Sequence, residues 1–122
     1  IATGACPRPL GLPGEKFMTT SAEFLYLEEL PPRLVFIGGG YISFEFAHLA
    51  ARYGRNVTII HRSAGVLKKF DPDLVALLVG ASELLGTTVA TNQTPVRIEK
   101  KRMNCWSSYR PAKWKMNFMP TW

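Results

Sequence analysis

The stretch Leu34-Val35-Phe36-Ile37-Gly38-Gly39-Gly40-Tyr41-Ile42-Ser43-Phe44-Glu45 decides how the rest of the chain is read. Leu34 to Ile37 is an apolar run with Pro31-Pro32 before it and glycines after it, the pattern of a short strand buried on both faces of a parallel sheet. From Tyr41 to Tyr53 the apolar positions Ile42, Phe46, Leu49 and Ala50 recur at helical spacing, and Gly54 stands where that helix would end. The three glycines therefore lie between a strand and a helix. Gly38 permits a tight turn, Gly40 lets the backbone approach a pyrophosphate, and the small Ser43 lets helix and strand pack closely. The helix N-terminus offers free N–H groups and a partial positive charge to phosphate. A glycine turn that only joins strand to helix is the plainer reading. Strand, glycines and helix in this order favour a dinucleotide.

Outward from this turn the same alternation continues. Val57-Thr58-Ile59-Ile60 is rich in β-branched residues and reads as the next strand. Asp71-Pro72 starts a second helix, with Pro tolerated in its first turn, and Leu74, Leu77, Leu78, Leu84 and Leu85 are expected to face the core until Gly86. Thr87 to Ala90 and Val96 to Glu99 are further strand candidates, the first being the stronger. Upstream, residues 7–16 hold Pro7, Pro9, Gly11, Pro13 and Gly14 and read as a surface linker. Thr20-Ser21-Ala22-Glu23 is a capping-box pattern, predicting a short helix that runs to Pro31-Pro32. The order β-α-β-α-β predicts an α/β fold, a Rossmann-like parallel β-sheet flanked by helices in three layers.

The end of the second strand bears on which dinucleotide is held. About 20 residues beyond the glycines a carboxylate would bond the ribose 2′-hydroxyl of NAD, whereas an arginine would suit the 2′-phosphate of NADP. His61-Arg62-Ser63 stands there, with no acid. Arg62 is able to pair bidentately with a phosphate, Ser63 adds a donor, and Lys68 or Lys69 a further charge. An ordinary solvated arginine is the competing reading for Arg62, and for the two lysines solvation is the better one. The missing acid tips the expectation to NADPH over NADH.

Composition sets outer bounds. The chain has 122 residues, 47% hydrophobic and 20% charged, enough for one domain with a core. It shows no run of roughly 18 apolar residues and no secretory signal pattern, so a cytoplasmic protein without a membrane span is expected. The net charge of +6 invites a nucleic-acid reading, but residues 1–99 carry nine basic and nine acidic side chains. The excess comes from Lys100, Lys101, Arg102, Arg110, Lys113 and Lys115, so no nucleic acid is expected at the body of the chain. Cys6 and Cys105 form no CxxC or CxxxxC pair, and neither a disulfide framework nor a metal site is expected.

Residues 1 to about 99 resemble the pyridine nucleotide-disulfide oxidoreductases, the family of glutathione reductase, dihydrolipoamide dehydrogenase and mercuric reductase. Ile1-Ala2-Thr3-Gly4-Ala5 is similar to the segment with which that family's FAD domain hands over to its NAD(P)H domain. Gly38 to Glu45 resembles its GxGYIxxE motif, and Phe70-Asp71 to Leu85 the helix after the second strand. The resemblance implies a truncated NAD(P)H-binding domain at 17–100, preceded at 1–16 by the end of an FAD-domain strand and a linker. It further implies that Tyr41 covers the nicotinamide pocket, that Glu45 lies on the nicotinamide side facing a flavin, and that Ser43 and Ala47 help set cofactor preference. His61 matches the position of the family's cofactor-selecting acid, and Arg62 its 2′-phosphate arginine. The expected cofactor-binding set is Gly38, Gly40, Tyr41, Ile42, Ser43, Glu45, His61, Arg62, Ser63 and Lys68. The family's FAD glycine motif, CxxxxC dithiol, later FAD segment and C-terminal dimerisation domain with its catalytic His have no match here. The resemblance thus implies FAD and hydride transfer only in a longer parent, with no catalytic residue in this chain and little activity of its own.

Residues 101–122 read as an atypical tail, with three Trp, two Pro and no acid. Shifting the reading frame one base earlier turns Met103 to Trp106 into Glu-Leu-Leu and permits an Ala-Asp-Leu-Val ending, like the strands the family would place there. A frameshift from about residue 101 is the expectation, tested by the encoding DNA. The exposed aromatics of the tail, and sheet edges left unpaired, offer routes to self-association. A second reading stays open at this point: a stand-alone nucleotide-binding or interaction module with a basic nucleic-acid-binding tail.

Overall fold

The computed structural model describes residue 4, residues 6–100 and the backbone of residues 114–120. Its regular elements are a 3-10 turn at Glu15–Phe17, α1 (Ser21–Phe24), β1 (Arg33–Ile37), α2 (Tyr41–Arg52), β2 (Asn56–Ile60), α3 (Pro72–Leu84), β3 (Thr87–Ala90), β4 (Gln93–Lys100) and β5 (Trp114–Pro120). They divide into two compact units, one of Glu29–Thr94 with Met119–Trp122, the other of Ile1–Glu28 with Pro95–Phe118.

The first unit is the β-α-β-α-β alternation. Its sheet is parallel, in the order β1-β2-β3, with Arg33 opposite Asn56, Ile37 opposite Ile60, Val57 opposite Thr87 and Ile60 opposite Ala90. β2 is therefore central, and Val57, Ile59 and Ile60 are buried along it. Alternate residues of a strand face opposite sides of its sheet, so burial of both Ile59 and Ile60 marks a strand covered on both faces. β1 departs from the expectation of two-sided burial. It lies at the edge of the three-stranded sheet, and Val35 remains 40% exposed. Rossmann-like parallel pairing with helical crossovers is the architecture of this unit.

α2 packs on β1 and β2, α3 on β3, and the two helices touch each other. The buried face of α2 is Phe44, Ala47 and Ala50, one step around the helix from the face expected. Ile42 and Leu49 are 39% and 59% exposed. Alanines at 47 and 50 let the helix axis approach the sheet, and the larger side chains are left facing away. α3 differs in the same way. Leu78, Val75 and Val79 pack on the core, whereas Leu74, Leu77 and Leu84 are 66%, 71% and 91% exposed. Apolar residues occur all around α3, so their period does not single out one face. The buried Ser82 marks the inner face instead. Its hydroxyl donates to the Leu78 carbonyl at 2.7 Å and so accepts from Nε2 of His48 at 2.7 Å, tying α3 to α2. At the start of α3, Oδ1 of Asp71 accepts from the amides of Asp73 (3.0 Å) and Leu74 (3.2 Å), with Pro72 in the first turn. Each caps a donor that the helix itself leaves open.

In the second unit, α1 carries the expected capping box. The Thr20 hydroxyl accepts from the Glu23 amide at 3.3 Å and the Glu23 carboxylate from the Thr20 amide at 2.7 Å. The hydrogen bonds from the Thr20 backbone and, next, its side chain hold the Glu23 carboxyl below its ordinary range. The helix ends at Phe24 rather than running to Pro31, because Leu25 and Tyr26, 68% and 86% exposed, have no packing to repay its extension. Ile98 of β4 is buried, and its amide donates to the Pro13 carbonyl at 2.9 Å. β4 and β5 form a two-stranded sheet. β5 lies within the tail read as atypical; the remainder of that tail, on which most of the frameshift reading rests, is outside the described residues. No described helix is long and apolar enough to cross a membrane.

Candidate functional site

The site is built around the turn from β1 to α2. Gly38 has φ +106°, a conformation that side-chain-bearing residues rarely adopt, and its amide donates to the Ile60 carbonyl at 2.8 Å. This anchors the turn to the end of β2. Gly39 is buried, and its peptide is held at both polar ends. The amide donates to Nδ1 of His61 at 3.0 Å, and the carbonyl accepts from the Leu67 amide at 3.0 Å. A Cβ at residue 39 would stand 2.5 Å from Val66 Cγ1 and 3.1 Å from His61 Cγ. Only glycine fits there without displacing a neighbour.

Gly40 is the N-cap of α2, in extended conformation with φ −94°, and no side chain caps the helix. The first amides of α2 thus have no side-chain acceptor. Space is open here too, since a Cβ on Gly40 would meet nothing within 4 Å. Tyr41 and Ile42 are 59% and 39% exposed on the first turn, Ser43 is half-buried and Glu45 exposed. Tyr41 and Glu45 stand four residues apart, hence on one side of the helix.

The segment after β2 forms the other wall. His61 is partly buried, Arg62 and Lys68 are exposed and Ser63 is half-buried. Main-chain bonds fix the segment: the Asn92 amide donates to the Ser63 carbonyl at 3.3 Å and the Gln93 amide to the His61 carbonyl at 3.0 Å. Leu67 is held at φ +48°, strained for a branched side chain, at the residue whose amide grips Gly39. The His61 imidazole is pushed below its ordinary pKa, first by burial and then by the positive charge of Lys68 and Arg62, against which the Gly65 carbonyl acts. Because Gly39 N–H is a donor, Nδ1 is the unprotonated ring nitrogen.

The structure therefore brings the glycine turn, His61, Arg62 and Lys68 together through His61, while Tyr41 and Glu45 lie on the outer side of α2's first turns. One residue went unread in the sequence. Gly39 is the most confined of the three glycines, and the signal lay in its position opposite a side chain 22 residues away, which no local pattern reports.

A parallel α/β sheet with a glycine turn opening onto an uncapped helix places the chain in the Rossmann-like class. The family model for pyridine nucleotide-disulphide oxidoreductases matches residues 1–109, and the chain belongs to that family. It is 40% identical over 103 residues to trypanothione reductase of Leishmania donovani, covering 82% of this chain and 21% of that protein. Among solved structures it is similar to the Cu(II) complex of the HOCl-induced flavoprotein disulfide reductase RclA of Escherichia coli (TM-score 0.79, 28% identity, covering 95% of this chain and 25% of that one). It is also similar to an engineered water-forming NADPH oxidase bound to NADPH (TM-score 0.73, 26% identity, 97% and 27% covered). The chain thus spans about a fifth to a quarter of the length of these relatives.

Two predictions follow from the packing and charge of the turn. Gly39→Ala is expected to lower stability by about 1–3 kcal/mol through overpacking, while Gly40→Ala changes it by less than about 0.5 kcal/mol; urea unfolding of both variants reads the difference. The lowered His61 pKa also sets a pH window. The unfolded imidazole takes up a proton near its ordinary value of 6.5 while the folded one resists, so stability is full above that pH and declines as pH falls below it, toward the lowered folded value. His61→Asn should flatten this part of the urea-midpoint profile.

Proposed function

We propose that residues 17–100 are the NADPH-binding domain of a longer FAD-dependent oxidoreductase, with residues 1–16 the end of an FAD-domain strand and a linker. The observation that carries this reading is the uncapped N-terminus of α2 behind the glycine turn, facing open space and flanked by the segment that holds Arg62, Ser63 and Lys68. A helix N-terminus with unsatisfied amides favours a pyrophosphate, and Gly40 presents no Cβ to obstruct it. The residues present therefore fit a dinucleotide.

In this reading Gly40, Tyr41 and Ile42 offer backbone N–H groups to the pyrophosphate. Arg62 pairs with a 2′-phosphate, supported by Ser63 and Lys68. The engineered NADPH oxidase supports that choice: three consecutive replacements turned Asp-Ala-Met into Ala-Arg-Ser in a protein bound to NADPH, and the present chain reads His61-Arg62-Ser63. In both, arginine and serine stand together without an acid before them. Tyr41 and Glu45, on one side of α2, are assigned to the nicotinamide end. Nicotinamide, when bound, supplies a hydride for a flavin held by other parts of the parent; this chain's residues bind and orient it.

Titration of the full chain with NADPH and NADH tests the proposal. NADPH should bind more tightly, and Arg62→Ala should weaken NADPH about 10-fold to 100-fold, the worth of a charge-assisted pair, with little effect on NADH. Failure of a folded sample to bind either dinucleotide, or equal affinities unaffected by Arg62→Ala, would overturn it.

A further inference from the structure

The hydrogen bond between Gly39 and His61 distributes the donors of the glycine turn. Gly38 N–H is committed to Ile60 and Gly39 N–H to the imidazole, while Leu67 N–H holds the Gly39 carbonyl. The amides left for a ligand are those that follow, at the start of α2. Their placement depends on the orientation of the Gly39 peptide, which His61 and Leu67 hold from its two ends. Nothing else among the described contacts bonds the Gly39 amide.

We propose that His61 is a positioning residue for the dinucleotide: its neutral imidazole holds the Gly39 amide, and affinity falls when His61 takes up a proton. The inference rests on the dinucleotide reading given above and adds to it a role carried through Gly39 rather than by contact with ribose. An imidazolium has no acceptor nitrogen. Protonated Nδ1–H would point at Gly39 N–H, leaving a buried amide unsatisfied unless the ring or the turn moves.

The surroundings of the ring support this coupling. The charged groups that act on it are Lys68 and Arg62, both cations. β3 and the start of β4 meet residue 61 through main chain: the Ala90 carbonyl accepts from the His61 amide at 2.8 Å, and the Gln93 amide donates to its carbonyl. The turn before α2 meets the ring with the Gly39 amide. Among the described residues no carboxylate acts on the ring to stabilise the proton, and only the Gly65 carbonyl favours it. A clamp that works only when neutral is thus held neutral by its neighbours.

The test compares wild type with His61→Asn and His61→Ala. Asparagine offers an acceptor near the place of Nδ1 and does not titrate; alanine offers none. Dissociation constants for NADPH and NADH are measured from about pH 8 to about pH 5.5, across the range in which histidine titrates. The ratio of the wild-type constant to the His61→Asn constant is expected to rise about threefold to tenfold as pH falls, the worth of one hydrogen bond, for both dinucleotides. Dividing by His61→Asn removes the titration of the 2′-phosphate itself. His61→Ala should bind more weakly than His61→Asn at every pH. A flat or falling ratio would overturn the proposal, the latter showing that imidazolium aids binding as one more cation.

A second measurement needs no ligand. In the full chain the Gly39 amide resonance should titrate together with the His61 ring, and should not titrate in His61→Asn. A Gly39 amide that does not follow His61 overturns the inference whatever the chain binds. Absence of any dinucleotide binding by a chain whose Gly39 follows His61 overturns the functional reading, and the effect on affinity with it, while confirming the hydrogen bond.

Discussion

The peptide of Gly39 is where the sheet, α2 and the segment after β2 are joined. Its amide is bonded to His61 and its carbonyl to Leu67, and Val66 and the His61 ring fill the space a side chain would need. Backbone from the end of β1 is thereby locked against the segment that follows β2. This contact fixes the direction in which α2 leaves the sheet. Ala47 and Ala50, both fully buried, then allow the helix to lie close over the strands, and Phe44 closes the core beside them. A larger residue at any of these positions would move α2 and, with it, the amides at its start.

The same contact organises charge. The N-terminus of α2 brings partial positive charge, and Arg62 and Lys68 add two full charges on the segment gripping Gly39. Burial of the His61 ring lowers its pKa first, and the charges of Lys68 and Arg62 add to that effect. The result is a positively biased edge at the ends of the parallel strands β1 and β2, the general place in open α/β sheets where ligands bind. Membership of the pyridine nucleotide-disulphide oxidoreductases is consistent with that geometry.

Much of this was legible in the sequence because the signals were local. Apolar runs bounded by proline and glycine marked β1 and β2, and Asp71-Pro72 and Thr20 with Glu23 marked helix starts whose caps form as read. The faces of the helices were less legible. In α2 the residues that decide burial are alanines, which weigh little in a hydrophobic pattern, so Ile42 and Leu49 drew the eye although they point outward. In α3 leucines and valines occur on all sides, and the inner face is marked by Ser82, whose hydroxyl is satisfied by Leu78 and His48. Periodicity cannot report such a pairing between helices. At the candidate site, Gly38, Gly40 and Arg62 were readable from motif and spacing. Gly39 and the clamp role of His61 were not, because both depend on a contact across 22 residues of chain.

The turn and the segment after β2 are proposed to form one dinucleotide site. Amide chemical shifts of the full chain, followed while NADPH is added, test it most directly. Saturable shifts at Gly40, Tyr41 and Ile42, accompanied by shifts at Arg62 and Ser63 that are smaller with NADH, are the predicted result. Shifts confined to residues away from these two segments, or a spectrum of the folded chain unchanged by saturating NADPH, would contradict it.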